Sequence, residues 1–205
     1  MPSAEYINIE TQKNDAYIFF IIENSNNVLG EILNAINHNL KELSKAMSEM
    51  KTTTDMQVKA IILEFNDKSR IITEEGPVHI SDISSIEFRH SDMEPDFEKM
   101  LFTLNGVIKD YCNRNFTKQS FYAPAFIFIT AGSKDTKYIN ALDSLKRNRL
   151  YNYGTRIALQ VGEKNNIERI ADIVGSAEAV LSMENLDLFI RLFRFRWVEV
   201  EPLLD

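Results

Sequence analysis

Two polar segments directly follow two apolar stretches of the sequence, and they hold the residues best suited to chemistry. The segment ENSNN begins at Glu23 and places Ser25 and Asn27 at alternate positions, and the segment AGSKD begins at Ala131. Carboxylate, hydroxyl and amide oxygens are the ligands that Mg²⁺ and Ca²⁺ take in proteins. The first segment therefore offers three oxygen ligands, whereas Ala131 offers no side-chain ligand at the start of the second.

Catalytic chemistry lacks a matching set of residues. The sequence has no Gly-x-Ser-x-Gly motif, no Gly-x-Gly-x-x-Gly motif and no Gly-Lys-Ser/Thr loop, so the usual nucleophile and nucleotide motifs are missing. Cys112 carries no sequence signal of a reactive thiolate, and we expect a structural role for it. His38, His79 and His90 are not spaced as metal ligands, and we expect them at the surface. The sequence predicts no catalytic residue.

The strands that must position the two segments are predicted from continuous apolar runs. Tyr17–Ile22 and Pro124–Thr130 are apolar throughout, which predicts parallel strands covered on both faces. Val58–Phe65 and Ser69–Thr73 flank the turn-forming residues NDK, which predicts an antiparallel hairpin. Each polar segment therefore lies at the carboxyl end of a buried strand.

Helices alternate with these strands. Apolar residues recur every three or four positions over Val28–Met50 and again over Phe97–Tyr111, which predicts two amphipathic helices. The remaining predicted elements are a helix near Tyr138–Asn148, a strand at Thr155–Val161, a helix near Ile167–Val174, a strand at Ala179–Ser182 and a helix at Leu186–Phe195. This alternation predicts a doubly wound α/β fold with a mostly parallel six-stranded sheet, one antiparallel edge strand and helices on both faces.

In such a sheet, ligands bind beyond the carboxyl ends of the strands where the winding reverses. The two polar segments are neighbours if the reversal lies between their strands. Residues 74–95 form a predicted loop with local structure around Val78–Ile86, and its length marks it as a candidate functional loop. In and just after it, His90, Asp92, Glu94 and Asp96 also suit a cation, although an exposed acidic loop is the commoner explanation.

Composition and charge exclude several classes of protein. The chain has 205 residues with 44% hydrophobic and 26% charged side chains, which fits one soluble domain spanning 1–205, with a core at about 15–196 and a tail at 197–205. The net charge of −7 disfavours nucleic acid as a partner. One cysteine, no signal-like start and no apolar run near 20 residues predict a cytoplasmic protein without a membrane span. The tail alternates, which suits an edge strand or a partner contact.

The order of these motifs resembles a known family. The segments IFFIIENSNNVLGEILNAINHNLKEL, KAIILEFNDKSRIIT and AFIFITAGSKDTKYINALDSLKRN resemble the successive strands, loops and helices of the von Willebrand factor A (vWA) domain. The similarity of pattern extends from about Tyr17 to Phe195. The branch associated with bacterial tellurite resistance is the most similar.

The resemblance implies a metal-ion-dependent adhesion site that is degenerate in this chain. The family's first loop is Asp-x-Ser-x-Ser, but here Glu23 stands at the Asp and Asn27 at the second Ser, so that only Ser25 matches. Ala131 stands at the Asp of the family's Thr-Asp-Gly loop, and Asp96 or its neighbour stands where the family has Thr. We therefore expect no bound metal; a remodelled Mg²⁺ or Ca²⁺ site made by Glu23, Ser25, Asn27 and Asp96 is the alternative. Without metal, the polar residues of the first loop are expected to cap the following helix.

The expected function is that of a non-enzymatic adaptor for protein–protein interaction, without cofactor, in a bacterial stress-response or defence assembly. Its expected partner is a protein, bound by the residues of the degenerate site together with Ser133 and Asp135. Two alternatives remain. One is a metal-dependent binding module at the remodelled site, and the weaker one is a hydrolase or phosphoryl-transfer enzyme.

Overall fold

The structure is a computed structural model that describes residues 15–28, 30–48, 57–73, 76–115, 121–132, 137–162, 167–182 and 199–200. Its strands are β1 Asp15–Glu23, β2 Gln57–Phe65, β3 Ser69–Ile71, β4 Val78–His79, β5 Phe121–Tyr122, β6 Ala125–Thr130, β7 Thr155–Gln160, β8 Val180–Ser182 and β9 Glu199–Val200. Its α-helices are α1 Gly30–Ser48, α2 Phe97–Asn115, α3 Ile139–Lys146, α4 Arg149–Tyr153 and α5 Ile167–Val174. No helix among the described residues is long and apolar enough to cross a membrane.

The main sheet confirms the predicted α/β architecture. Its strand order is β3-β2-β1-β6-β7-β8, and β1 pairs in parallel with both β2 and β6. The antiparallel edge differs from the prediction in one detail, because β3 and β4 both pair with β2 and share that edge. The strand β1 therefore lies at the centre of the sheet, where the winding reverses.

Burial explains why β1 and β6 are apolar throughout. One hydrophobic cluster joins alternate residues of the strands, such as Phe19 and Phe126, to α2, α3, α4 and α5. The other cluster joins the intervening residues, such as Phe20 and Ile127, to α1 and a 3₁₀ helix at Ile80–Ser85. Because both faces of these strands are covered, each successive side chain enters one core or the other.

The 74–95 loop and the tail contain short elements of their own, and one predicted helix lies outside the described residues. The 74–95 loop contains β4 and the 3₁₀ helix, which agrees with the local structure expected near Val78–Ile86. In the tail, β9 pairs antiparallel with β5 to form a separate two-stranded sheet. The predicted helix at Leu186–Phe195 lies outside the described residues.

Candidate functional site

The loops after β1 and β6 meet at the carboxyl edge of the sheet, as the reversal of winding predicts. Glu23 is the last residue of β1 and its side chain is fully buried. Thr130 is the last residue of β6 and is also buried. The Thr130 hydroxyl donates a hydrogen bond of 2.6 Å to Glu23 Oε2, so the two strand ends are tied through side chains.

The Glu23 carboxylate accepts four hydrogen bonds from its surroundings. Oε1 accepts from Ser25 Oγ at 2.5 Å and from Asn27 Nδ2 at 3.3 Å. Oε2 accepts from Thr130 Oγ1 and from the backbone amide of Ala131 at 2.9 Å. An ionised carboxylate has about four lone-pair sites, so the protein itself fills this acceptor. We call Glu23, Ser25, Asn27, Thr130 and Ala131 the closed cluster.

The closed cluster does not fit a metal ion. A cation at Glu23 would have to displace donors that already hold both carboxylate oxygens, and Ala131 contributes only a backbone amide, which repels a cation. Ser25 Oγ also accepts from the amide of Asn27 at 3.2 Å, so one of its two lone pairs is already used. Within the described ranges, no group of three or more His, Cys, Asp or Glu side chains is arranged to hold a metal ion.

Ser25 and Glu23 form one pair that resembles a nucleophile and its base, and the exposed Ser81 hydroxyl, 2.7 Å from His79 Nδ1, forms another. The Ser25 hydroxyl lies 2.5 Å from the carboxylate oxygen of Glu23, which is within the reach required for proton transfer. The side chains of Ser25 and Glu23 are fully buried, however. A substrate therefore has no access to the Ser25 hydroxyl, and this pair ties the loop to the strand.

The other predicted site residues make no described hydrogen bond to the closed cluster or lie outside the described residues. Asp96 precedes α2, and its Oδ1 accepts from the backbone amide of Lys99 at 2.8 Å, so Asp96 caps that helix. No described hydrogen bond joins Asp96 to the closed cluster. Ser133 and Asp135 lie outside the described residues, as does the side chain of Cys112. His38, His79 and His90 are exposed, as predicted.

Among the described residues, no hydrogen bond joins a side chain of the first loop to α1, which begins at Gly30. The hydrogen bonds that the side chains of Asn24, Ser25 and Asn27 donate go to Glu23, Glu64 and the backbone of Arg89. Leu29, which directly precedes the helix, lies outside the described residues, so the capping of α1 by this loop stays a prediction.

Asn24 forms a second network on the opposite side of β1. Its Nδ2 donates to Glu64 Oε1 at 2.6 Å and to the backbone carbonyl of Arg89 at 2.7 Å. Arg70 Nε donates to the other oxygen of Glu64. Asn24 is only 4% exposed, yet its Oδ1 has no hydrogen-bond partner. This network is not predictable from the sequence pattern, because Glu64 and Arg70 lie within predicted strands.

A groove of about 640 Å³ opens beside this network. Its walls are the β2–β3 hairpin on one side and residues 86–93 on the other. We call it the hairpin groove. Its polar lining includes Asn24, Glu64, Arg70 and Arg89, and its apolar lining includes Ile72, Ile86, Phe88 and Met93. Met93 is 53% exposed, so an apolar side chain stands at the rim.

A second cleft of about 560 Å³ lies between the starts of α2 and α3, next to Asp96 and Tyr138. Burial raises the pKa of Tyr138 above its usual value, and the charge of Asp172, together with a hydrogen bond to it, raises the pKa further, whereas Arg169 opposes the shift. The Tyr138 hydroxyl therefore stays protonated at neutral pH. The cleft is lined by acidic side chains, including Glu94 and Glu98, but the described part of the chain contains no cluster of such residues arranged to hold a cation.

Comparison with known proteins finds similar folds among solved structures but no matching family profile or curated sequence. Among solved structures, a von Willebrand factor type A protein from Catenulispora acidiphila superposes with a TM-score of 0.59 at 12% identity, over 88% of this chain and 42% of that one. The protein BatB from Bacteroides thetaiotaomicron superposes with a TM-score of 0.58 at 12% identity, over 87% of this chain and 97% of that one.

Proximal thread matrix protein 1 of the mussel byssus is also similar. Its structure with a zinc-occupied MIDAS motif superposes with a TM-score of 0.60 at 13% identity, over 89% of this chain and 45% of the mussel chain. The present chain thus spans less than half of the mussel protein. At these identities the likeness shows the fold alone, which is that of vWA-type domains.

Proposed function

We propose that this chain, with its vWA-type fold, is a non-enzymatic protein-interaction module that binds its partner without a metal ion. The observation that supports the proposal is the Glu23 carboxylate, whose two oxygens accept four hydrogen bonds from the protein. Breaking these bonds to admit a cation would remove the acceptor of the two buried hydroxyls, those of Ser25 and Thr130, at about 1–3 kcal/mol each. The closed cluster therefore stabilises the loops that a metal would otherwise organise.

The fold itself accommodates metal elsewhere, since the mussel protein is described with a zinc-occupied MIDAS motif. We propose that in the present chain the loops keep their position and lose the ion. Recognition then relies on exposed groups around the carboxyl edge of the sheet, such as Met93, Glu87 and Arg89. The resemblance of the sequence to the tellurite-resistance branch supports an adaptor role in a bacterial stress-response or defence assembly, in the cytoplasm.

The experiment that tests this proposal is partner binding with and without divalent cations. A partner captured by the full chain is purified, and its Kd is measured by calorimetry in Mg²⁺ and in EDTA. We expect the two Kd values to agree within about twofold, since no metal completes the interface. A Kd that weakens tenfold or more in EDTA would overturn the metal-free proposal in favour of the remodelled site.

A further inference from the structure

One wall of the hairpin groove is an extended segment that pairs with no described strand. Residues 86–90 form neither a helix nor a paired strand, and Ile86 has extended dihedral angles, with φ −84° and ψ 130°. Burial alternates along the segment, because Glu87 and Arg89 are exposed while Phe88 is buried. This alternation is typical of a half-buried strand. The segment has the character of a strand but lacks a strand neighbour.

Two asparagines hold this segment from opposite sides. Asn37 of α1 accepts from the amide of Phe88 at 2.9 Å and donates to its carbonyl at 3.0 Å. Asn24 donates to the carbonyl of Arg89 on the other side. In an extended chain, the backbone groups of residues two apart point to the same edge. The backbone groups of Glu87 therefore lie on the edge that Asn24 contacts.

Apart from the bond from Asn24 to the Arg89 carbonyl, that edge has no partner among the described residues. Both backbone groups of Glu87 and the amide of Arg89 have no hydrogen-bond partner in the part of the chain that the structure describes. The buried Oδ1 of Asn24 is also without a partner and belongs to a residue that lines the same groove. Buried polar groups are normally satisfied, so an orphan acceptor beside an open strand edge indicates a missing donor.

We propose that the hairpin groove binds an extended segment of a partner protein, which pairs with the backbone of Glu87 and Arg89 and donates an N–H to Asn24 Oδ1. This proposal rests on the proposed function and names its surface. The groove of about 640 Å³ lies within the usual size of ligand sites, about 300–1,000 Å³. Addition of a strand to an open edge is a common mode of peptide recognition.

The charges of the groove fit a peptide that binds through its main chain better than a ligand of high net charge. Its charged lining comprises three acids and three bases, which are Glu64, Asp67, Glu87, Lys68, Arg70 and Arg89. Because these charges balance, the groove does not select a partner by net charge. Main-chain hydrogen bonds supply affinity in this mode, and the apolar side chains of the lining supply contacts for alternate side chains of the partner.

The test uses a phage-displayed library of random heptapeptides, selected on the immobilised full chain in EDTA. One enriched sequence is synthesised and its Kd is measured by calorimetry. The decisive variant is Glu87→Pro, which removes an N–H that has no described partner within the chain and suits the extended Ile86 before it. Its matched control is Glu87→Ala, which changes the same side chain but keeps the N–H.

We expect Glu87→Pro to weaken the Kd by about tenfold or more, and Glu87→Ala by less than about twofold. Met93→Asp at the rim should also weaken binding of the peptide. Tyr153→Asp is its control and should leave binding unchanged. Tyr153 is exposed to a similar degree, 54%, but lies just before the start of β7, away from the carboxyl ends of the strands. Hydrogen exchange of the Arg89 amide should slow when the peptide binds. A melting temperature unchanged in Glu87→Pro would show that the variant folds.

Two results would overturn this proposal. One is that no heptapeptide is enriched, in which case ordered water satisfies Asn24 Oδ1. The other is that Glu87→Pro and Glu87→Ala bind the selected peptide equally. Neither result affects the proposed function: a partner that binds equally well in Mg²⁺ and EDTA, and equally well to Glu87→Pro, would support the metal-free module and place its interface elsewhere.

Discussion

Glu23 and Asn24 are adjacent in sequence and both buried, yet their hydrogen bonding differs. Glu23 is 0% exposed and its carboxylate accepts four hydrogen bonds. Asn24 is 4% exposed, and its carbonyl oxygen accepts none among the described residues. The two side chains lie on opposite sides of β1, since Glu23 contacts the end of β6 and Asn24 contacts β2. Burial alone therefore does not distinguish a polar group whose hydrogen bonds are filled from one with an unfilled acceptor.

The difference separates a polar side chain that ties two strand ends together from one that keeps an unfilled acceptor. Glu23 at the end of β1 reaches both the turn after β1 and the end of β6, and under the metal-free proposal it takes the bridging role that an ion would have. The closed cluster then fixes the carboxyl edge of the sheet. Fixed loops in turn hold the adjacent hairpin groove in shape, since rigid elements position binding groups better than loops that must first be ordered.

Of the substitutions that test this comparison, Glu23→Ala should cause the largest loss in the free energy of unfolding. It leaves the hydroxyls of Ser25 and Thr130 and the amide of Ala131 without their acceptor, and we expect a loss of about 4 kcal/mol in the free energy of unfolding. Urea denaturation of the variant and of the exposed control Glu87→Ala measures it. A loss below about 1 kcal/mol would mean that the closed cluster adds little to stability.

Asn24→Ala should cost less, although Asn24 is almost as buried. The substitution removes two hydrogen bonds but also removes the unsatisfied Oδ1, so we expect a loss of about 2 kcal/mol. The same denaturation experiment provides the value. If Asn24→Ala costs as much as Glu23→Ala, the contrast between a satisfied and an unsatisfied residue is wrong.

Thr130→Val should cost about 1.5 kcal/mol, because the shape is kept while a buried hydroxyl between Glu23 Oε2 and the amide of Gly132 is lost. The matched control is Thr103→Val on α2, whose hydroxyl bonds to a helix carbonyl near solvent. That control should change stability by less than about 0.5 kcal/mol. Equal losses in the two variants would remove Thr130 from the closed cluster.

Substitutions of Asp96 distinguish a helix-capping role from a metal-binding role for this residue. As a cap, Asp96→Ala should cost about 1 kcal/mol, whereas Asp96→Asn should be nearly neutral because asparagine caps equally well. Thermal melts of both variants in Mg²⁺ and in EDTA measure this. An Asp96→Asn variant that loses a Mg²⁺-dependent stabilisation present in the parent protein would instead assign Asp96 to a metal site.

Much of the fold is predictable from the sequence because it follows from burial. The continuous runs of β1 and β6 and the three-to-four spacing of α1 and α2 depend on local pattern, and the structure confirms all four. The short strand β4 and the helix α4 are too brief to show a period, so they were missed. Their positions depend on pairing and packing with distant residues.

The candidate site was only partly predictable for the same reason. Glu23, Ser25 and Asn27 were grouped by their spacing, and the structure brings them together. The contributions of Thr130 and of the Ala131 backbone amide depend on the parallel pairing of β1 with β6, across a separation of more than 100 residues. The sequence predicts which metal-ligating side chains are missing, but the donors from Thr130 and Ala131 that fill the Glu23 carboxylate are visible only in three dimensions.

The most direct test of the account is thermal unfolding of the full chain in Mg²⁺, in Ca²⁺ and in EDTA. Because the donors of the closed cluster fill the Glu23 carboxylate, we predict melting temperatures that agree within about 1 °C across the three conditions. A saturable rise with either cation in the parent chain, absent in Glu23→Ala, would contradict the account and show that this carboxylate still binds metal.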